Sequence, residues 1–191
     1  ALYNTCKNYP WHEVFDGERS LKITFHGTSD ELRNEMYSGQ VVKDAIVDYF
    51  RDYAGTRPDV DKRHAAVHFH AYLRHDEVTI SLDLVGYSLH QRGYRLDQGQ
   101  APIKENIAAA LLLRMNWPEI AAKGGHFADL VCGSGTIVIE AAMMAANMAP
   151  GLLRTDQSFT SWLGHKPKLW LALRKEAAAK KQDLNIKLYG S

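Results

Sequence analysis

Residues 129–136 read Asp-Leu-Val-Cys-Gly-Ser-Gly-Thr. A largely apolar lead-in at 126–128 precedes them and an apolar run at 137–148 follows, so the pattern predicts a strand, a glycine turn and a helix. Two glycines flanking one small residue let the backbone turn sharply and let a ligand approach it closely. The N–H groups at the start of the following helix are free to donate to that ligand. The stretch therefore predicts a ligand site at the end of a strand.

Two common nucleotide-binding motifs do not fit this turn. A phosphate-binding P-loop needs a lysine directly after its last glycine, and no lysine follows Gly135. The dinucleotide fingerprint needs a third glycine where this sequence has Val138. S-adenosylmethionine has an amino group, a carboxylate and a ribose, which suit an acidic strand end at Asp129 and a floor formed by 132–135. A plain strand-to-helix turn stays open, because Gly-x-Gly alone is a weak motif.

The composition is that of a globular protein with no strong charge bias. The 191 residues allow one or two domains, and their net charge of +1 means that any nucleic-acid surface is local. Two cysteines, Cys6 and Cys132, do not form a disulfide framework, which indicates a reducing compartment. No apolar run reaches the ~18 residues of a membrane span. We therefore expect a cytoplasmic protein without a membrane partner.

The first part of the chain, residues 1–85, is predicted to be α+β. A strand at 21–25 alternates apolar and polar residues, and residues near 39–53 have the spacing of an amphipathic helix. Residues 67–84 alternate on two arms around a turn at 74–77, which predicts a hairpin. Residues 86–100 are rich in glycine and polar residues and are predicted to be a connector.

The second part, residues 101–191, is predicted to be the start of a parallel, doubly wound sheet. The pattern predicts helices at 103–115, at 135–148 and after Pro167, and strands at 126–131 and 184–189. Because a strand-like run reaches almost to the last residue, we expect the chain to be a fragment of a longer protein.

Several segments in order resemble one known family. They are Arg92-Gly93-Tyr94-Arg95, the run APIKENIAAA at 101–110, the turn at 129–136, IEAA at 139–142 and APG at 149–151. Together they resemble the bacterial ribosomal RNA large-subunit guanine-N2 methyltransferases, which are often called N6-adenine-specific DNA methylases. Members carry a THUMP RNA-binding domain ahead of a Rossmann-like methyltransferase domain. Leu130 and Val131 depart from the Pro-Met that the family has in this turn.

The resemblance implies a fold class and an activity. The fold would be an α+β THUMP-like part at 1–85, corresponding to the later portion of that RNA-binding domain. After the connector, the first half of an α/β Rossmann-like methyltransferase domain would follow at 101–191. The cofactor would be S-adenosylmethionine and the substrate the N2 amine of a guanine in 23S ribosomal RNA. The family's ribose-binding acidic residue and its Asn-Pro-Pro-Tyr-type segment would follow Ser191, so catalytic residues are expected beyond Ser191. This piece alone is predicted to be inactive.

Two other functions stay open from the sequence. One is an N6-adenine DNA methylase, which shares the cofactor half. The other is an RNA-binding module without catalysis, in which the glycine turn has lost its role. Nothing in the sequence indicates the oligomeric state.

The candidate site residues fall into two groups. By resemblance, Asp129 would meet the methionine amino group and the start of the helix at 103 would lie near the cofactor. The predicted cofactor-binding residues are Asp129, Cys132, Gly133, Ser134, Gly135, Thr136, Lys104 and Glu105. Two guanidiniums around an aromatic ring suit phosphate contact and base stacking, although a solvated linker explains them too. The predicted RNA-binding residues are Arg92, Tyr94, Arg95, Arg57, Lys62 and Arg63.

Three further side chains have structural interpretations. Glu140 is the only charge in an apolar helix, and since a buried lone carboxylate is costly, we expect it to be paired or to reach the sheet edge.

His68 and His70 lie two apart on one strand face, a spacing that could hold a metal. No cysteine or third ligand is close to them in sequence, so no metal site is predicted.

Overall fold

Two separate hydrophobic cores organise the chain, for which the computed structural model describes residues 1–95, 102–154 and 158–191. The first unit comprises Ala1–Gly86 with Gln157–His165, and the second comprises Tyr87–Asp156 with Lys166–Ser191. The predicted boundaries at 1–85, 86–100 and 101–191 stay a prediction. Residues 96–100 of the predicted connector, and Ala101 after it, lie outside the described residues.

The first unit is an α+β fold, as predicted. Its helices and strands are α1 (Leu2–Lys7), β1 (Leu21–His26), α2 (Glu35–Ala54), β2 (Val67–Arg74) and β3 (Glu77–Leu82), with short 3-10 turns at Trp11–Glu13 and Ser158–Ser161. The sheet has the order β1-β2-β3. Strands β1 and β2 are parallel, and β2 and β3 form the predicted antiparallel hairpin.

The hairpin turn and the ends of α2 follow from local backbone chemistry. His75 and Asp76 both have left-handed backbone angles, φ 47° and 61°, as the favoured two-residue hairpin turns require. Helix α2 begins four residues before the predicted 39 because the Asn34 side chain accepts from the Tyr37 N–H at 3.0 Å. Gly55 ends it in the left-handed conformation. One face of α2 and the inner face of the sheet enclose the first core.

The second unit is the beginning of an α/β fold. Its elements are α3 (Glu105–Arg114), α4 (Trp117–Ala122), β4 (Phe127–Asp129), α5 (Thr136–Ala145), α6 (Pro167–Ala179) and β5 (Leu188–Gly190). Strands β4 and β5 pair in parallel. Leu112, Trp117, Phe127 and Ala141 form the centre of its core. Within residues 1–95, 102–154 and 158–191, no helix combines the length and the apolar character that a membrane crossing needs.

Two strands and one helix of this unit differ from the sequence prediction. The strand predicted at 126–131 ends at Asp129, because the chain turns there and leaves Leu130 and Val131 80% and 90% exposed. The strand predicted at 184–189 begins only at Leu188. Helix α4 was not predicted. Asn116 interrupts the helical path with a φ of 58°, and the chain resumes as α4 because Trp117 is buried in the core.

Candidate cofactor site in the second unit

A tight turn joins β4 to α5. The Asp129 carboxylate accepts from the Val131 N–H at 3.1 Å, and the Gly135 N–H donates to the Cys132 carbonyl at 2.9 Å. Gly133 and Gly135 have φ angles of 53° and 76°, a region that residues with a Cβ rarely adopt. Gly135 is also the N-cap residue of α5. The predicted sequence of strand, glycine turn and helix is confirmed.

Among the residues that the structure describes, no side chain or backbone fills the space in front of the turn. A Cβ at Gly133 would meet nothing within 4 Å, and one at Gly135 would meet only the Ile139 side chain at 3.9 Å. Gly133 and Ser134 are exposed. Packing inside the protein therefore does not require a glycine at 133. Its left-handed backbone and the open space beside it form a cradle that a side chain would fill.

The opposite side of the turn packs against β5. Asp129 pairs with Gly190, and the ladder continues as the Ser191 N–H donates to Asp129 and the Cys132 N–H donates to Ser191, each at 3.0 Å. A Cβ at Gly190 would lie 3.0 Å from the Cys132 sulfur. The Cys132 side chain thus packs on β5, and its predicted contact with a cofactor stays a prediction.

Arg95 joins three segments around the turn. Its Nε donates to the Glu105 carboxylate at 3.1 Å, and Nη2 donates to the Ile103 carbonyl and the Thr136 hydroxyl, each at 3.0 Å. Glu105 and Thr136 are the first residues of α3 and α5, and the Arg95 side chain is 14% exposed. The guanidinium fork therefore fixes the starts of both helices relative to each other.

Glu140 is the second buried carboxylate of this unit. It is 3% exposed, accepts from the Tyr94 hydroxyl at 3.0 Å and lies 3.4 Å from Nε of Arg92. Of the two alternatives predicted for Glu140, pairing or a position at the sheet edge, the structure shows pairing. Burial and the neighbouring Glu140 carboxylate raise the pKa of Tyr94 well above its usual value, so this hydroxyl is held as a donor.

A family comparison identifies this unit. Residues 92–191, more than half of the chain, match the family model described as RMKL-like, methyltransferase domain. The chain belongs to this family. Residues 1–83 match the THUMP domain model. The resemblance and the fold class inferred from the sequence are confirmed.

The proteins that are similar to this chain, whether in sequence or in structure, are longer than it. A ribosomal RNA large subunit methyltransferase K/L from Legionella pneumophila is 52% identical over all 191 residues, which span only 27% of its length. A structure from Listeria monocytogenes, named as a predicted N6-adenine-specific DNA methylase, is 33% identical with a TM-score of 0.78 over 98% of this chain and 49% of its own. SMU.472, described as a methyltransferase complexed with SAH, is 30% identical with a TM-score of 0.79, over 99% and 49%. The chain therefore spans about a quarter to half of the proteins that it matches.

The structure brings most of the predicted cofactor residues of the RMKL-like domain together. Asp129, Gly133, Ser134 and Gly135 lie on the turn, and Arg95 connects Thr136 to Glu105. Lys104 is exposed just before α3 and, with Glu105, lines a cleft of about 440 Å³. Their contact with a cofactor stays a prediction.

The predicted RNA-contact residues separate into two sets. The polar groups of Arg92, Tyr94 and Arg95 point inward to carboxylates of the RMKL-like domain. These contacts argue against phosphate binding by the three, since their charge is already matched inside the unit. The sequence offers one indication of this pairing. Each of two apolar helices carries a single carboxylate, and two arginines that lie close together in the chain can pair with them.

The loop cations of the first unit remain candidates for RNA contact. Arg57, Lys62 and Arg63 are exposed between α2 and β2. In the described part of the chain, none of them forms an ion pair. The Asp61 carboxylate accepts from the N–H groups of His64 and Arg63, which orders this loop and lowers the pKa of Asp61.

The two cysteines are expected to differ in reactivity. Cys6 is 5% exposed and burial raises the pKa of its thiol, so both access and thiolate content are low. Cys132 is only partly buried. In the folded chain, iodoacetamide should modify Cys132 well before Cys6. In urea, it should modify both cysteines at similar rates. Peptide mass spectrometry measures the extent of modification at each cysteine. Equal modification rates in the folded chain would contradict this prediction. The Cys132→Ser variant is the control that assigns the modified peptide to Cys132.

Proposed function

We propose that the chain is the front part of an S-adenosylmethionine-dependent methyltransferase that acts on the N2 amine of a guanine in 23S ribosomal RNA. The observation that carries this proposal is the open glycine turn after β4, where a Cβ at Gly133 would meet nothing within 4 Å. Its occurrence in an RMKL-like domain, and relatives named ribosomal RNA large subunit methyltransferase K/L, support it.

The turn fits the chemistry of this cofactor. S-adenosylmethionine supplies a methyl group already activated by its sulfonium, so the protein mainly positions the reactants. One carboxylate oxygen of Asp129 accepts a hydrogen bond from the Val131 N–H. Among the described residues, nothing forms a hydrogen bond or an ion pair with the other oxygen. That free oxygen is suited to an amino group. Gly133, Ser134 and Gly135 form the floor, and the first N–H groups of α5 are suited to a carboxylate.

Arg95 is assigned a positioning role in this proposal. By holding Thr136 and Glu105 together it fixes the beginning of α5, and with it the direction of the N–H groups that follow the glycine turn. It acts through these residues and not on the reacting atoms. Lys104 and Glu105 are retained as proposed pocket residues at the start of α3.

The RNA partner is proposed for the THUMP-like part. We place this part at 1–85, the connector at 86–100 and the methyltransferase part at 101–191. The exposed cations Arg57, Lys62 and Arg63 are the proposed phosphate contacts. A guanine within a duplex must leave the base stack before its amine can be reached. A ribosomal RNA substrate implies a cytoplasmic protein.

Methyl transfer tests the proposal directly. A chain extended to the length of its relatives would be incubated with S-adenosylmethionine and either unmethylated 23S ribosomal RNA or duplex DNA, and the nucleosides analysed by mass spectrometry. We expect N2-methylguanosine in the RNA and no product in the DNA. N6-methyladenine in the DNA would instead support the activity that the name of the Listeria structure indicates. Binding of RNA without any product or cofactor binding would support the non-catalytic RNA-binding module.

A further inference from the structure

Three side chains with metal-ligand atoms converge on the outer face of the sheet in the first unit. His68 and His70 lie two apart on β2, so both point to this face. Asp83 directly follows β3, and its N–H donates to the His68 carbonyl at 2.7 Å. The hairpin thereby brings a carboxylate beside two imidazoles, although Asp83 lies 13 positions after His70 in the chain.

The two distances from Asp83 to the histidines suit ligands around one ion. Oδ2 of Asp83 lies 3.5 Å from Nδ1 of His68 and 3.5 Å from Nε2 of His70, and the three ligand atoms lie within 4.8 Å of one another. Both contacts exceed the roughly 2.7–3.2 Å range of N–H···O hydrogen bonds. Tetrahedral zinc with bonds of about 2.0–2.1 Å separates its ligand atoms by about 3.3 Å. The spacing matches coordination better than direct hydrogen bonding.

The surrounding residues orient two of the ligands. Oδ1 of Asp83 accepts from the N–H groups of Val85 and Gly86 at 2.8 and 2.9 Å, which turns Oδ2 to the histidines. Nε2 of His68 is 2.8 Å from the Thr24 hydroxyl on β1, which leaves Nδ1 for the centre of the cluster. Such outer contacts are typical of protein metal sites, where they fix ring orientation and carboxylate direction.

We propose that His68 Nδ1, His70 Nε2 and Asp83 Oδ2 bind a divalent transition-metal ion, with Zn²⁺ the best match. Imidazole and carboxylate ligands suit zinc, and three protein ligands leave a fourth position for water. The side chains of His68, His70 and Asp83 are 14%, 28% and 21% exposed, so an ion can reach them. The ion would hold the end of β3 to β2 and add positive charge to this sheet face.

One nearby charge opposes the ion. Lys22 pairs with His68 in the β1–β2 register, so its ammonium lies on the same sheet face. Its repulsion weakens the binding of a cation. Lys22→Ala is therefore expected to tighten zinc binding, whereas a site elsewhere in the chain would not respond.

The test is a zinc titration of the 191-residue chain. Chelator-treated protein would be titrated with Zn²⁺ by calorimetry, and bound metal counted after dialysis. We expect one ion per chain. Asp83→Asn, which keeps an oxygen for the N–H groups of Val85 and Gly86, should weaken binding at least about tenfold, and Thr24→Val, which removes an outer contact, about tenfold. His64→Asn, an exposed histidine of the same unit, is the matched control and should bind as the wild type does.

Folding is checked separately by circular dichroism and thermal melting of the metal-free proteins. Zn²⁺ should raise the melting temperature of the wild type and of His64→Asn, and much less that of Asp83→Asn. Absence of stoichiometric zinc from the folded wild type would overturn the proposal. So would an ion that folded Asp83→Asn and His70→Asn retain with unchanged affinity, since it would lie elsewhere.

Discussion

Replacement of Gly133 by asparagine should abolish binding of S-adenosylhomocysteine while leaving the fold intact. A Cβ at this position meets no atom of the described residues within 4 Å, and the φ of 53° lies in the left-handed region. Asparagine tolerates this region better than most residues, so the backbone strain lies at the low end of about 1–2 kcal/mol. The new side chain would occupy the space proposed for the cofactor. We expect affinity to fall at least a hundredfold, which is about 2.8 kcal/mol.

Gly124→Asn provides a matched control for this substitution. Gly124 lies before β4, has a φ of 82°, and a Cβ there also meets nothing within 4 Å. Asparagine at this position therefore introduces the same kind of backbone strain, but at a site outside the turn after β4. Calorimetric titration of a chain with a complete methyltransferase domain should show normal affinity for Gly124→Asn and none for Gly133→Asn. Equal affinities in the two variants would place the cofactor elsewhere or remove it from the mechanism.

Truncation of Glu140 to alanine should destabilise the second unit strongly. The carboxylate is 3% exposed and is the partner of both the Arg92 guanidinium and the Tyr94 hydroxyl. Removing it leaves a largely buried positive charge without compensation and opens a small cavity. Loss of one partner of such a pair costs about 3–5 kcal/mol in the free energy of unfolding. Hydrogen exchange at the α5 amides of the 191-residue chain would measure this loss of stability in the second unit alone.

Glu119→Ala separates the effect of burial from the loss of a glutamate. Glu119 pairs with Lys123 one helical turn away, and their side chains are 54% and 74% exposed. Water screens and replaces such a surface pair, so we expect almost no change in the protection of α5. If Glu140→Ala were as mild as Glu119→Ala, then Arg92 would have other partners or water, and the inward-facing network would need revision.

The features that the sequence predicted well depend on residues that are close together in the chain. The alternation at 67–84 predicted the hairpin, and the Gly-x-Gly spacing predicted the turn between β4 and α5. Strand ends were predicted less well. The apolar Leu130 and Val131 suggested two more strand residues, but the Asp129 carboxylate turns the chain before them. Apolar character extends a predicted strand, whereas a side-chain hydrogen bond to the backbone ends it.

The roles of charged residues depend most on the tertiary structure. Arg92 and Arg95 resembled nucleic-acid contacts because two guanidiniums flank an aromatic ring. Their partners are Glu140 and Glu105, on two different helices. Only packing of these helices shows that the arginines face inward. Arg57, Lys62 and Arg63, which nothing in the described structure pairs, keep the interpretation that the sequence suggested.

The sequence by itself therefore determined the fold class, the family resemblance and the location of the glycine turn, because each is encoded in local spacing and local backbone preference. The tertiary structure alone decided which polar groups meet. Tyr94 and Glu140 are 46 positions apart, and Asp83 reaches His68 only through the pairing of β2 with β3. Hydrogen bonds and ion coordination act over a few ångströms of space, whatever the separation along the chain, so the partners become evident only once the strands and helices are packed.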